Sequence, residues 1–228
     1  MFRLLLKVLL VLAVLALVVD RGADYVAEQA AAGELQRSQG LEREPDVSIT
    51  GFPFLNQFAS GRYERVIVTA NDVRVGTSDT SLTIAKVRLD FRSVTASRDF
   101  TRFRAESATA HATVGYPALS KTLGIEIRYG GDGRITASKE FTVLGQTVRP
   151  TITVEPEVAS DALTFAGSQI GGGQGLPAQV SAALREIFGA DLSLEDLPFD
   201  VKVKAVKVTP TGLDLTLTGR DLSYQPAR

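Results

Sequence analysis

Among its 228 residues the chain has no cysteine, no tryptophan and a single histidine, His111. The missing cysteines exclude disulfides, thiolate metal sites and a thiol nucleophile. One histidine leaves any imidazole-based metal centre dependent on carboxylates, and no HExxH motif, EF-hand loop or His–carboxylate cluster occurs. An excess of one charge is also missing: 25 Lys and Arg face 26 Asp and Glu, for a formal net charge of −1. Without a basic excess, nucleic acid is not expected as a partner.

Catalytic patterns are equally scarce. His111 stands mid-strand between Ala110 and Ala112, and no GxSxG elbow supplies a serine. Acids fall mostly on wet strand faces or helix surfaces, so no pair converges for glycoside chemistry. Glu155 and Glu157 flank Pro156 in what reads as an exposed turn. Gly171-Gly172-Gly173-Gln174-Gly175 lacks the Lys-Ser/Thr of a phosphate loop and reads as a connector. Lys202, Lys204 and Lys207 read as a solvated strand face. No catalytic residue, metal or cofactor is expected, and the chain reads as a non-enzyme.

What the chain has in plenty is apolar surface, first at its amino terminus. Arg3 and Lys7 precede the unbroken run Val8–Val19. This is the pattern of an export signal or membrane anchor. No small-x-small cleavage site follows, so residues 1–20 read as an uncleaved signal anchor or transmembrane segment. Residues 21–228 are then expected outside the cytoplasm as one domain. Helical composition continues to about Gln39, where Gly40 stops it, and Val19, Ala23, Val26 and Ala30 fall on one face for packing.

The chain is organised around DVSITGFPFLNQFASGRYERVIVTANDVRV, Asp46 to Val75. A short strand (Val47, Ile49) meets an aromatic-proline knot, with Pro53 at the first helical position, Gly61 as the stop and a longer strand after it. The knot must plug a core, line a cavity or touch a membrane. Beyond it the chain is mostly β. Val87, Leu89 and Phe91 alternate with Lys86, Arg88 and Asp90, and Ala108, Ala110, Ala112 and Val114 form a small-residue face. Tyr116–Leu123 reads as a short helix closed by Gly124. Ile125–Tyr129 and Arg134–Ser138 read as a hairpin, as do Phe141–Leu144 and Thr147–Val154. Leu163–Phe165 is a short strand, Leu176–Phe188 an amphipathic helix, and Val201–Thr209 with Leu213–Leu217 a closing hairpin. About nine antiparallel strands and no βαβ alternation predict an α+β fold.

A long apolar groove is one use for such a sheet. At about 0.8 kcal/mol per CH₂, sheltering an acyl chain of about 16 carbons takes on the order of 12 kcal/mol of burial. A solid core leaves the same sequence trace, and so does an envelope scaffold that binds another protein. A glycan hydrolase would need convergent acids. If the sheet is hollow, its lining is expected from Phe52, Phe54, Leu55, Phe58, Val87, Leu89, Phe91, Ala110, Val180, Leu184 and Phe188.

Three blocks taken together carry a resemblance: the hydrophobic start running into VDRGADYVAEQ, the GFPFL-to-GRY stretch, and LPFDVKVKAVKVTPTGLDLTLTGRDL. They resemble the LmeA-like phospholipid-binding family of actinobacterial cell-envelope proteins. The resemblance covers essentially all of the exported part, and the GFPFL-to-GRY block is its most specific piece. It implies a strongly curved antiparallel sheet wrapped around a long N-terminal helix, a tubular lipid-binding (BPI-like) half-barrel with an apolar tunnel. It implies binding of phospholipids such as phosphatidylinositol, a membrane or envelope location and support of lipomannan assembly. No catalytic residue carries over from it.

Overall fold

The computed structural model describes residues 2–76, 81–143, 146–159, 162–171, 192–193 and 202–224. It opens on α1 (Phe2–Gln39), one uninterrupted helix of good helix formers. Gly40 ends it at φ +61°, the left-handed stop that glycine adopts without a Cβ clash. The elements β1 (Asp46–Thr50), α2 (Phe54–Ser60), β2 (Arg62–Gly76), β3 (Ser81–Ala96), β4 (Phe103–Gly115) and α3 (Tyr116–Leu123) follow. Then come β5 (Glu126–Gly131), β6 (Arg134–Ser138), β7 (Phe141–Val143), β8 (Gln146–Val148) and β9 (Thr151–Ala159). The chain closes with β10 (Ala162–Gly171), β11 (Leu192–Ser193), β12 (Lys202–Thr209) and β13 (Gly212–Tyr224).

The fold is α+β, as the sequence predicts, with more and longer strands than expected. The largest sheet runs β1-β2-β3-β4-β13-β12 and is not closed, since β1 and β12 lie at its two edges. A second runs β11-β10-β9-β6-β5, and β7 and β8 pair alone.

Three local expectations change, and a fourth falls outside the described residues. The strand predicted over Thr147–Val154 is two strands, β8 and β9, broken at Arg149 and the buried Pro150, which has no N–H for a ladder. Glu155-Pro156-Glu157 is strand rather than turn, with Pro156 opposite Phe165 in β10. β6 pairs β9 only from Thr151 to Val154, so among the described residues Pro156 has a ladder partner on β10 alone, a position where a strand tolerates proline. Leu163–Phe165 extends to the ten residues of β10. The helix predicted over residues 176–188, with Val180, Leu184 and Phe188, lies outside the described residues.

The spanning segment expected at residues 1–20 is not supported: among the described residues no helix is long and apolar enough to cross a membrane. The run Val8–Val19 covers about 18 Å at about 1.5 Å per residue, against a hydrocarbon core of about 30 Å. Asp20, Arg21 and Asp24 follow it at once. The packing face of α1 also differs from its periodicity. Asp20, Asp24, Ala27, Ala31 and Ala32 are buried, whereas Val19 and Val26 are 58% and 66% exposed. Asp20 turns inward because backbone N–H groups at the start of α2 need an acceptor.

Contacts divide the chain into two units. One holds Met1–Ala70, Leu89–Ala108 and Arg220–Arg228; the other holds Asn71–Arg88 and Thr109–Gly219. In the first, β1 pairs antiparallel with β2, Val47 opposite Val68 and Ile49 opposite Val66. Val47, Ile49 and Val68 are buried, which is the alternation a half-wet strand requires. Arg65 on β2 forks onto Asp90 on β3, Nε donating to Oδ1 at 2.8 Å.

The second unit has an apolar core of its own. Tyr116, Ile125, Ile127, Ile135, Ala137, Ile152, Val154 and Leu213 are buried together, joined by half-buried Leu119, Phe141, Val148, Val206 and Val208. The Tyr116 hydroxyl donates to the Thr209 carbonyl, and Ser120 Oγ accepts the Ile127 N–H at 2.8 Å. Gly212 is where the closing hairpin meets the end of β4: a Cβ there would lie 2.2 Å from the Val114 carbonyl oxygen. Backbone on both sides leaves no flexible end to move. Gly212→Ala is expected to cost about 1–3 kcal/mol, as overpacking does, read as a lower urea midpoint with the slope unchanged.

Candidate functional site

The aromatic-proline knot is seated by a residue far from it in sequence. Pro53 stands at the N-cap of α2, one position earlier than predicted, and has no side chain with which to cap it. Asp20 of α1 supplies the cap. Its Oδ2 accepts the Phe54 N–H at 3.0 Å and its Oδ1 accepts the Leu55 N–H at 2.9 Å. Both are donors that a helix start leaves unpaired, and an ionised acceptor at a helix N-terminus is the favourable sign. Two turns on, Glu28 Oε1 accepts the Ile49 N–H of β1 at 2.7 Å. Acids at positions 20, 24 and 28 thus lie along one face of α1, and two of them tie it to α2 and β1.

The knot itself splits into a buried and an exposed half. Phe54 is 1% exposed and stacks with Phe58 at 5.9 Å and with Tyr63 at 6.4 Å between ring centroids. Tyr63 in turn meets Phe100 at 6.2 Å. Phe52 and Leu55 stay out, 60% and 42% exposed, with the Arg21 guanidinium 5.6 Å above the Phe52 ring. Gln57, buried beneath, accepts the Glu64 N–H on Oε1 at 2.9 Å, while its Nε2 has no partner. The close approach of Gly51 fixes it there: at φ +123°, a Cβ on Gly51 would sit 2.5 Å from Nε2. Gly61 ends α2 in the left-handed conformation, and its carbonyl accepts the Ala96 N–H at 3.0 Å.

The other residues predicted to line a cavity are dispersed. Leu89 and Phe91 belong to the same unit as the knot and are half-buried, Phe91 edge-on to Phe103 at 5.6 Å. Val87 and Ala110 belong to the second unit and are also half-buried. Val180, Leu184 and Phe188 lie outside the described residues. His111, exposed on β4, lies with its Nδ1 3.3 Å from Thr216 Oγ1. Among the described residues there is no group of three potential metal ligands. Sequence reasoning missed Asp20, Glu28 and Gln57, although acids at four-residue spacing beside an apolar run were the available signal.

Burial pushes the Asp24 carboxyl above its ordinary range, with Arg21 pulling it back, Nη1 to Oδ2 at 3.1 Å. Burial likewise raises Glu28, against the pull of the Ile49 N–H. A carboxyl with a raised folded pKa holds its proton more tightly when folded. The contribution of these groups is therefore fully present below the ordinary carboxylate range and is lost as pH rises through the raised values. Asp24→Asn, which imitates the protonated form, is expected to gain stability relative to the parent between about pH 4 and about pH 7, measured by urea unfolding at both. Asp20→Ala is expected to cost about 2 kcal/mol at neutral pH by removing both cap bonds, with Asp20→Asn falling between.

No curated protein and no solved structure matches the chain. The model of the LmeA-like phospholipid-binding family matches residues 18–218, beginning just before the Asp20 cap and ending within β13. With that match spanning most of its 228 residues, the chain belongs to the LmeA-like phospholipid-binding family.

Proposed function

We propose that this protein is held at a membrane of the cell envelope by the apolar end of α1 and binds phospholipid at the knot beside it. The observation that carries the reading is the Asp20 cap. It seats α2 where the apolar run stops, and it leaves Phe52 and Leu55 exposed at that point. Leu9, Leu10, Leu12, Leu15 and Val19 along α1 are each more than half exposed. Contiguous apolar surface of this kind calls for a lipid or protein cover. Family membership supports phospholipid as the ligand class.

In this reading acyl chains leave the bilayer past Phe52, Leu55 and Phe58. They lie against the strands of the first unit, with Leu89 and Phe91 among the lining. Transfer of the lipid, phosphatidylinositol as one species, and support of lipoglycan assembly are the further steps of the same proposal. The protein needs no catalytic group for any of them, because moving a lipid makes and breaks no covalent bond.

The test is native mass spectrometry of the full chain extracted in mild detergent. Bound phospholipid is expected, and Phe52→Asp with Leu55→Asp should lower its occupancy several-fold at an unchanged unfolding midpoint. Phe54 is unsuitable for this test, since its burial makes Phe54→Asp a folding lesion. A lipid-free protein that also takes up no fluorescent phospholipid overturns the reading, and a single crosslinked protein partner on the Phe52 surface would then favour a scaffold.

A further inference from the structure

A second feature of the first unit lies at the far end of the aromatic contacts from the knot. The neighbouring strands β3, β4 and β13 end together around an open cleft of about 290 Å³, lined by Thr95, Ala96, Ser97, Arg102, Phe103, Arg104, Ser223 and Tyr224. This is near the lower end of ligand-sized clefts, ~300–1,000 Å³, and suits a polar headgroup rather than paired acyl chains.

Its chemistry is that of an anion site. Arg102 and Arg104 are exposed, and neither guanidinium has a carboxylate partner among the described residues. Between them Phe103 stacks on Tyr224 at 5.8 Å, which stiffens the cleft wall. Hydroxyls of Thr95 and Ser223 complete the lining, while Ser97 Oγ is held in the turn, donating to Asp99 and accepting the Arg102 N–H. The nearby acid, Asp99, is occupied by the turn: it accepts from Ser97 Oγ and from Thr101 N and Oγ1. Two guanidiniums with hydroxyls are the usual recognition set for phosphate oxygens, because the planar fork matches their spacing.

The cleft is also joined to the apolar knot. Ala96, in its wall, donates its N–H to Gly61, the residue that ends α2. Phe100, in the turn between Ser97 and Arg102, closes the ring series Phe58–Phe54–Tyr63–Phe100. A polar anion site tied in this way to an aromatic cluster matches an amphiphile with a phosphate at its polar end.

We infer that the cleft walled by Arg102 and Arg104 binds a phosphate group, supplied by the headgroup of the phospholipid. This rests on the phospholipid reading above for the source of the phosphate, not for the site. The test uses the full chain in a non-ionic detergent, titrated calorimetrically with dihexanoylphosphatidylglycerol, dihexanoylphosphatidylcholine, glycerol 3-phosphate and inorganic phosphate. The parent is expected to bind both lipids, since each carries the phosphodiester. Arg102→Gln with Arg104→Gln should weaken binding of both at least tenfold at an unchanged unfolding midpoint. Binding of both lipids undiminished by the double substitution overturns the inference and leaves phospholipid binding intact. If neither lipid binds, phospholipid binding itself fails. The cleft is then judged by the other two probes: arginine-dependent binding of glycerol 3-phosphate or inorganic phosphate upholds a phosphate site with a soluble source, and no binding overturns it.

Discussion

Two backbone N–H groups at the start of α2 need an acceptor, and the carboxylate of Asp20 is the one they have. Much of the first unit follows from that constraint. Leaving a buried donor unpaired costs about 1–3 kcal/mol. So α1 turns Asp20 inward and leaves Val19 and Val26 outside. Glu28 repeats the arrangement at β1, where its side chain accepts the Ile49 N–H. The helix that reads as an apolar anchor is thus also a polar clamp for the knot.

The clamp explains how the knot can be both plug and contact surface. Held by its first turn, α2 points Phe54 into the Phe58 and Tyr63 rings and leaves Phe52 and Leu55 outside. Gln57 and Gly51 fill the space beneath, too closely for any side chain at position 51. The second unit works differently. Its β5, β6 and β9 residues pack against Tyr116 and Leu213 as an apolar core, with the Tyr116 hydroxyl satisfied by the Thr209 carbonyl. Lipid chemistry therefore belongs to the first unit and support to the second in the reading developed above.

The local grammar of this chain was largely legible. Gly40, Gly61 and Gly124 mark helix ends, and each adopts the left-handed conformation those ends require. The β5–β6 and β12–β13 hairpins fall where turn residues place them. Legibility failed where a partner distant in sequence decided the outcome. Pro156 reads as a turn because proline usually breaks strands, and only the pairing shows that β6 stops short of it, so that among the described residues it is paired on the β10 side alone. Arg102 and Arg104 read as ordinary surface charge until β3, β4 and β13 bring their ends together.

The sequence by itself determined the α+β class, the helix stops, two of the three hairpins, the absence of cysteine chemistry, and the family. These depend on neighbours along the chain, on composition or on motif order. Only the tertiary structure decided which face of α1 is buried, which ring of the knot is core, and where a phosphate-sized cleft opens. Those outcomes turn on hydrogen bonds between residues some 20 to 35 positions apart, such as Ile49 to Glu28 and Leu55 to Asp20. A periodicity reads the apolarity of a face, and it carries no record of which distant N–H that face must satisfy.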